Sequence, residues 1–180
     1  ILCEDTRVTL KLLTRHGITT RMLSYNGMPS GLSEKRVIEL LLAGKNLALV
    51  SDAGTPAISD PGARLVFAVR SQLSDVKVVP IPGPSALVAA LSVSGVPADE
   101  FLFLGFLPHK KGRRTLFEEI QNSHRTVVFY ESSHRIEKTL CDLKKIGKKF
   151  LIARELTKIF EEIAVAPTSH RGEFVVLVFP

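Results

Sequence analysis

The chain has 180 residues, of which 45% are hydrophobic and 23% charged, and its formal net charge is +6. That length suffices for one buried core or two small ones. Its longest apolar runs fall well short of the ~20 residues a membrane span requires, and no basic-then-apolar leader opens it. Cys3 and Cys141 stand too far apart for a disulfide framework, which predicts a soluble cytoplasmic protein in a reducing compartment. The histidines lack metal-ligand spacing, so no metal is expected. The positive balance without a basic tail leaves room for a polyanionic partner.

Ile1-Leu2 reads as the end of a strand whose beginning lies outside the chain, so a fragment of a longer protein is expected. Ser33 caps SEKRVIELLLAG, where Val37, Leu40 and Leu41 share one helix face and Gly44 supplies the stop. NLALV (46–50) reads as a buried strand, and it empties into SDAGTPAISDPG (51–62), two Ser-Asp turns each closed by a glycine. A helix follows in PGARLVFAVRSQ, with Leu65, Val66 and Val69 together. VKVVPI (76–81) reads as a further strand, and PSALVAALSVSG, apolar nearly all round, as a buried helix.

Gly95, Pro97, Gly105 and Pro108 interrupt the pattern around FLFLGFL and place a domain boundary there, giving lobes 1–95 and 96–180. The loop 108–115 carries Lys110, Lys111, Arg113 and Arg114, which read either as a solvated surface or as phosphate contacts. TVVFY (126–130), FLIA (150–153) and EFVVLVF (173–179) complete the strands. Between them SSHRIEKTLCDLKKIG sets Ile136, Leu140 and Leu143 at helical spacing, with Ser132 or Ser133 as the expected cap. Continuous apolar strands alternating with helices predict an α/β protein with largely parallel sheets.

Four strands run straight into polar or Gly/Pro-rich turns, SDAGTP, PGPSA, ESSHR and RELTK. In open α/β sheets such turns line the ligand crevice, so a common site is expected. Walker, GxGxxG and GxSxG motifs are absent, which excludes the commonest nucleotide and acyl-transfer sites. Ala53 and Gly54 instead permit close approach to the main chain, Asp52 and Thr55 offer polar partners, and Ser85 opens a helix whose free N–H groups suit an anion. A small zwitterionic or nucleotide-like ligand fits this set.

The series CEDTR (3–7), LVSDAGTPAISDPG (49–62), PIPGPSALVAALSVSG (80–95), FLFLGFLPHKKGRR (101–114), VFYESSHRI (128–136), ARELTK (153–158) and GEFVVLV (172–178) resembles the tetrapyrrole methylase superfamily, and most of all its RNA branch. The resemblance implies two α/β lobes with a cofactor cleft between them. It implies S-adenosylmethionine as cofactor, 2′-O-methylation of a cytidine of small-subunit (16S) rRNA as the reaction, and a homodimer. Carried over, it puts Asp52, Ala53, Gly54, Thr55, Ile58, Ser85, Ala86, Phe129, Tyr130, Glu155, Leu156, Gly172 and Phe174 at the cofactor. The family's opening strand, a charged stretch after SYN (24–26) and a helix ahead of GEFV have no counterpart here.

Methyl transfer to a ribose hydroxyl calls for positioning and a proton acceptor. Glu4, Asp5, Glu131 and Glu155 are the candidates at strand ends; each also reads as an ion pair or cap beside Arg7, Arg135 or Arg154. The alternatives are a tetrapyrrole methyltransferase of the same superfamily, against which KKGRR argues, and a non-catalytic RNA-binding module, which has no use for four ligand-lining turns.

Overall fold

In the computed structural model, which describes residues 1–27 and 31–180, only some of the apolar runs become strands. The chain divides into two units, Ile1–Pro84 and Ser85–Pro180. Met28, Pro29 and Ser30, in the stretch after SYN where a departure is expected from the resemblance, lie outside the described residues.

The first unit holds β1 (Leu2–Cys3), α1 (Thr6–Arg15), β2 (Leu23–Ser24), α2 (Glu34–Leu42), β3 (Leu49–Val50) and α3 (Ala63–Gln72). Its strands pair in parallel in the order β2-β1-β3, with Leu2 opposite both Leu23 and Leu49. Leu2, Tyr25, Val37, Ile38, Leu65 and Val69 form the core. Ser33 caps α2 as its position predicts, its Oγ accepting from the Arg36 N–H at 3.3 Å. NLALV contributes only its last two residues to the ladder. VKVVPI is not a strand: Val78, Val79 and Ile81 are exposed, so burial does not offset the cost of ordering them, and Pro80 has no N–H to donate to a ladder.

The second unit holds α4 (Ala86–Ser94), β4 (Phe101–Phe106), α5 (Arg113–Asn122), β5 (Thr126–Ser132), α6 (Ile136–Lys145), β6 (Lys149–Arg154), β7 (Glu162–Ala164) and β8 (Glu173–Phe179). Its sheet runs β4-β5-β8-β6-β7. β4 and β5 are parallel, but β8 is antiparallel to both its neighbours and β7 to β6. The sheet is therefore mixed and not largely parallel; no helix connects β6 to β7 or β7 to β8, and parallel pairing needs such a crossover.

β8 is buried on both faces, which is why its apolar run is continuous. Phe174, Val176 and Val178 pack with Phe129 and Ile152 against Phe117 and Ile120 of α5 and Ile136, Leu140 and Leu143 of α6. Val175 and Leu177 face the other way with Val128, against Leu87, Ala90 and Leu91 of α4. The first helix after the division thus belongs to this sheet, and the units part at 84/85, ahead of the expected 95/96. Only one stripe of α4 is covered. Val88 and Val93 are exposed, so the helix is half-buried where its composition predicts burial all round. Neither Ser132 nor Ser133 caps α6: Arg135 is the N-cap residue, and Ser132 ends β5.

Candidate functional site

Parallel pairing brings the carboxyl ends of β1, β2 and β3 to one edge of the first unit, where Glu4 and Asp5, Tyr25, and Ser51 follow in turn. Asp5 caps α1: its Oδ1 accepts from the Arg7 N–H at 2.8 Å and from Arg7 Nε at 3.0 Å. Its own N–H donates to Asp52 Oδ1 at 3.2 Å, tying CEDTR to SDAGTP. The Arg7 bonds hold the Asp5 carboxyl at about 2, which makes it a weak proton acceptor.

The hydroxyls of SDAGTP are turned onto main-chain carbonyls. Ser51 Oγ donates to the carbonyls of Ala53 (3.1 Å) and Gly54 (3.2 Å), and Thr55 Oγ1 donates to the Pro84 carbonyl at 3.0 Å. The turns SDAGTP and PGP therefore adjoin. Asp52, Ala53, Gly54 and Ile58 remain exposed. Gly54 has φ +73°, and Ala57 (φ 71°) and Ser59 (φ 62°) hold the left-handed conformation without being glycine, at roughly 1 kcal/mol or more each. Strain of this kind persists only where surrounding structure imposes it.

Asp60 is the residue that sequence reasoning missed, because SDPG reads simply as a helix start. Gly62, not Asp60, occupies the N-cap of α3. Burial first, then the negative charges of Glu4 and Asp52, push the Asp60 carboxyl above its ordinary value. Its charged form is thus disfavoured in the folded protein. Stability is expected to fall as pH rises from the ordinary carboxylate value through the raised one. Asp60→Asn removes that loss, so its urea midpoint relative to wild type should be higher at about pH 7 than at about pH 3. A difference independent of pH would show that Asp60 titrates alike in both states.

In the second unit the register places the end of β5, the end of β6 and the start of β8 together, with Glu131 opposite Phe174, Ser132 opposite Glu173 and Arg154 opposite Phe174. ESSHR, RELTK and GEFV thus share one edge. Glu155 (φ 49°) and Thr157 (φ 65°) are again left-handed. Glu155 Oε1 accepts from the Glu173 N–H at 2.8 Å and from Lys158 Nζ at 3.0 Å, and these bonds lower its pKa. Gly172, at φ +109°, leaves room for that carboxylate: a Cβ there would lie 2.6 Å from Glu155 Cγ. Arg154 is spent on Glu162 (2.9 Å) and on the Arg171 carbonyl (2.8 Å).

Several expected roles change. The rings of Phe129 and Phe174 lie in the core against α5 and α6, because strand alternation turns them to the side opposite Tyr130; neither ring is offered to a ligand. Tyr130 packs edge-on to Phe103 (5.1 Å) and tilted to Phe106 (5.5 Å), with Leu156 in the same cluster. Ser85 caps α4 through a long 3.5 Å contact from the Val88 N–H, with Ala86 first in the helix.

Glu131 has no exposed side-chain surface and is fully engaged by Arg135 (2.8 Å), Thr139 (2.7 Å) and the Ser132 N–H (2.9 Å), so it is a structural carboxylate and not a base open to substrate. Arg113 is buried, bonded to Thr139 and Asp142, and so does not belong to the exposed basic loop. Lys110, Lys111 and Arg114 are exposed. Among the described residues no helix is long and apolar enough to cross a membrane, and no three His, Cys, Asp or Glu side chains stand where they would hold a metal ion.

The family model of Tetrapyrrole (Corrin/Porphyrin) Methylases matches residues 1–170. A protein named ribosomal RNA small subunit methyltransferase I from Xylella fastidiosa is 45% identical over 99% of this chain and 70% of its own length. Proteins of the same name from Mesorhizobium japonicum and Halalkalibacterium halodurans are 43% and 47% identical, over 100% and 90% of this chain and 66% and 56% of their own lengths. The chain thus spans between about half and two thirds of the last two.

Among solved structures, a cobalt precorrin-4 methyltransferase of cobalamin biosynthesis aligns over 99% of this chain and 82% of its own, with a TM-score of 0.60 at 16% identity. Uroporphyrin-III C-methyltransferase from Thermus thermophilus, complexed with S-adenyl homocysteine, aligns over 98% and 83% with a TM-score of 0.53 at 16% identity. At such identity the likeness speaks for the fold. With a family model matched over most of its length and 45% identity to a curated relative, the chain belongs to the tetrapyrrole methylase family, within its group of ribosomal RNA small subunit methyltransferase I.

Proposed function

We propose that this chain methylates small-subunit ribosomal RNA from S-adenosylmethionine, with the ribose 2′-hydroxyl of a cytidine as acceptor. The observation that carries the reading is 45% identity across 99% of the chain to a relative named for that substrate. S-adenosylmethionine supplies an electrophilic methyl group on a sulfonium. In the first unit Asp52, Ala53, Gly54 and Thr55 would hold it. The loop fits, because those first three residues are exposed, the Ser51 hydroxyl is turned onto the loop's own carbonyls and the Thr55 hydroxyl onto that of Pro84. In the second unit Glu155, Leu156 and Gly172 are the corresponding residues, and Phe129 and Phe174 would contribute main chain only.

The hydroxyl proton falls to Glu4 or Asp60. Asp5 is held ionised by Arg7, Glu155 is tied to Glu173 and Lys158, and Glu131 is buried. A homodimer is part of the same reading, and sedimentation of the full-length protein as monomer alone would remove it.

The test is incubation of full-length protein with methyl-labelled S-adenosylmethionine and small ribosomal subunits, followed by mapping of the label. Label on a cytidine ribose is expected; label on a base, or on a tetrapyrrole and not on RNA, would overturn the reading. RNA contact has its own signature. Each neutralised phosphate on a single strand lowers log affinity per log salt by roughly 0.7, so removing the exposed charges of Lys110, Lys111 and Arg114 should flatten the slope by up to about 2. Parallel slopes for wild type and the triple Ala variant would take this loop out of the RNA contact.

A further inference from the structure

The basic loop 108–112 is held at both ends by arginines, the half-buried Arg135 and the buried Arg113, and one carboxylate reaches both, the first directly and the second through Thr139. At its start, Arg135 Nη1 donates to the carbonyl of Leu107, which is fully buried. At its end stands Arg113, whose N–H donates to the Lys110 carbonyl at 3.3 Å. The Arg113 guanidinium lies 4.7 Å over the Phe117 ring, and its Nη2 donates to Thr139 Oγ1 (2.9 Å) and Asp142 Oδ2 (3.2 Å). Glu131 Oε1 meets Arg135 Nε at 2.8 Å, and Glu131 Oε2 accepts from Thr139 Oγ1 at 2.7 Å.

A threonine hydroxyl has one proton, and here Glu131 takes it. The lone pairs of Thr139 are thereby left for Arg113. Burying Glu131 and Arg113 with the half-buried Arg135 and Asp142 in one network seldom adds stability over apolar packing, so its contribution is better sought in fixing one conformation. What that conformation presents is Lys110 and Lys111. Both are exposed, and among the described residues neither has an ion-pair partner, whereas Arg114 pairs with Glu118 at 2.9 Å.

We infer that Glu131 is a positioning residue: through Arg135 and Thr139 it fixes the loop conformation in which Lys110 and Lys111 meet a nucleic-acid backbone. The inference rests on the RNA reading above. Two variants of the full-length protein test it: Thr139→Val, which deletes the relay at nearly constant volume, and Glu131→Gln, which keeps the shape and removes the charge. Each is made alone and with Lys110→Ala/Lys111→Ala.

Loss of a hydrogen bond to a charged group is expected to raise the rate of trypsin cleavage after Lys110 and Lys111 in the single variants by roughly tenfold. The KM for small subunits should rise by a similar factor, with kcat and S-adenosylmethionine affinity unchanged. In the background lacking both lysines, the further rise in KM should vanish. Unchanged cleavage, or the same rise in KM in both backgrounds, would overturn the inference and leave a merely structural network. If removing both lysines raises KM but neither network variant does, the RNA reading stands and only the positioning role falls. If removing both lysines leaves KM unaltered, the loop has no RNA role and the inference falls with it, whatever trypsin reports.

Discussion

Glu131→Ala is expected to destabilise the protein by about 3–5 kcal/mol, the usual loss when one partner of a buried ion pair is removed. The Arg135 side chain is only 15% exposed and would keep its charge without its anion. The Ser132 N–H and the Thr139 hydroxyl would lose their acceptor, and Arg113, whose Nε already lacks a partner, would lose the orientation of one of its own. Urea denaturation of wild type, Glu131→Ala and Glu131→Gln measures this. The Gln variant should lose less, because its amide oxygen still accepts from Thr139 or Ser132. A loss below about 1 kcal/mol for Ala would mean that the network contributes no more than an ordinary hydrogen bond. The same pair of variants separates structure from chemistry: a general base replaced by an amide would lose turnover, and here kcat of the Gln variant should persist.

The sequence carries most of what is local and little of what depends on neighbours. Ser33 and Gly44 mark α2 correctly, because caps and left-handed stops are properties of a few adjacent residues. β8 is legible because a strand covered on both faces must be apolar at every position. VKVVPI is also mostly apolar, yet becoming a strand requires a partner for its ladder, and composition is silent about partners. Arg113 looks like Lys110 in KKGRR. What buries it is Asp142 and Thr139, which lie more than twenty residues further along the chain.

Glu131 looked like an acid at a strand end for the same reason, and only the helix one turn beyond it reveals Arg135 and Thr139 as its occupants. Phe129 and Tyr130 show the limit of carrying a motif residue by residue. Adjacent strand positions face opposite sides, so at most one ring of the two is available on a given face. Asp60 carried a signal in the paired Ser-Asp turns, but its proximity to Glu4 and Asp52 follows from the pairing of β1 with β3.

Gly172→Ala is expected to cost about 2–4 kcal/mol, combining a backbone conformation strained for other residues with a lost hydrogen bond to a carboxylate. At φ +109° any Cβ is strained, and this one would sit 2.6 Å from Glu155 Cγ and 2.8 Å from its Cδ and Oε1. Glu155 would have to swing away and release the Glu173 N–H and Lys158, which it now holds at 2.8 and 3.0 Å. Glu155 and Thr157 already occupy left-handed conformations, so the loop beyond them would lose the bond that secures it. If this edge contributes to cofactor binding, S-adenosylmethionine affinity should drop by at least about tenfold in the folded variant, the equivalent of one such bond. The control is Glu155→Ala/Gly172→Ala, in which the obstructing side chain is gone. Because both changes then act on one contact, the double variant should lose clearly less stability than the sum of the singles. Additive losses would show that the Gly172 conformation alone, and not the Glu155 carboxylate it accommodates, sets the cost.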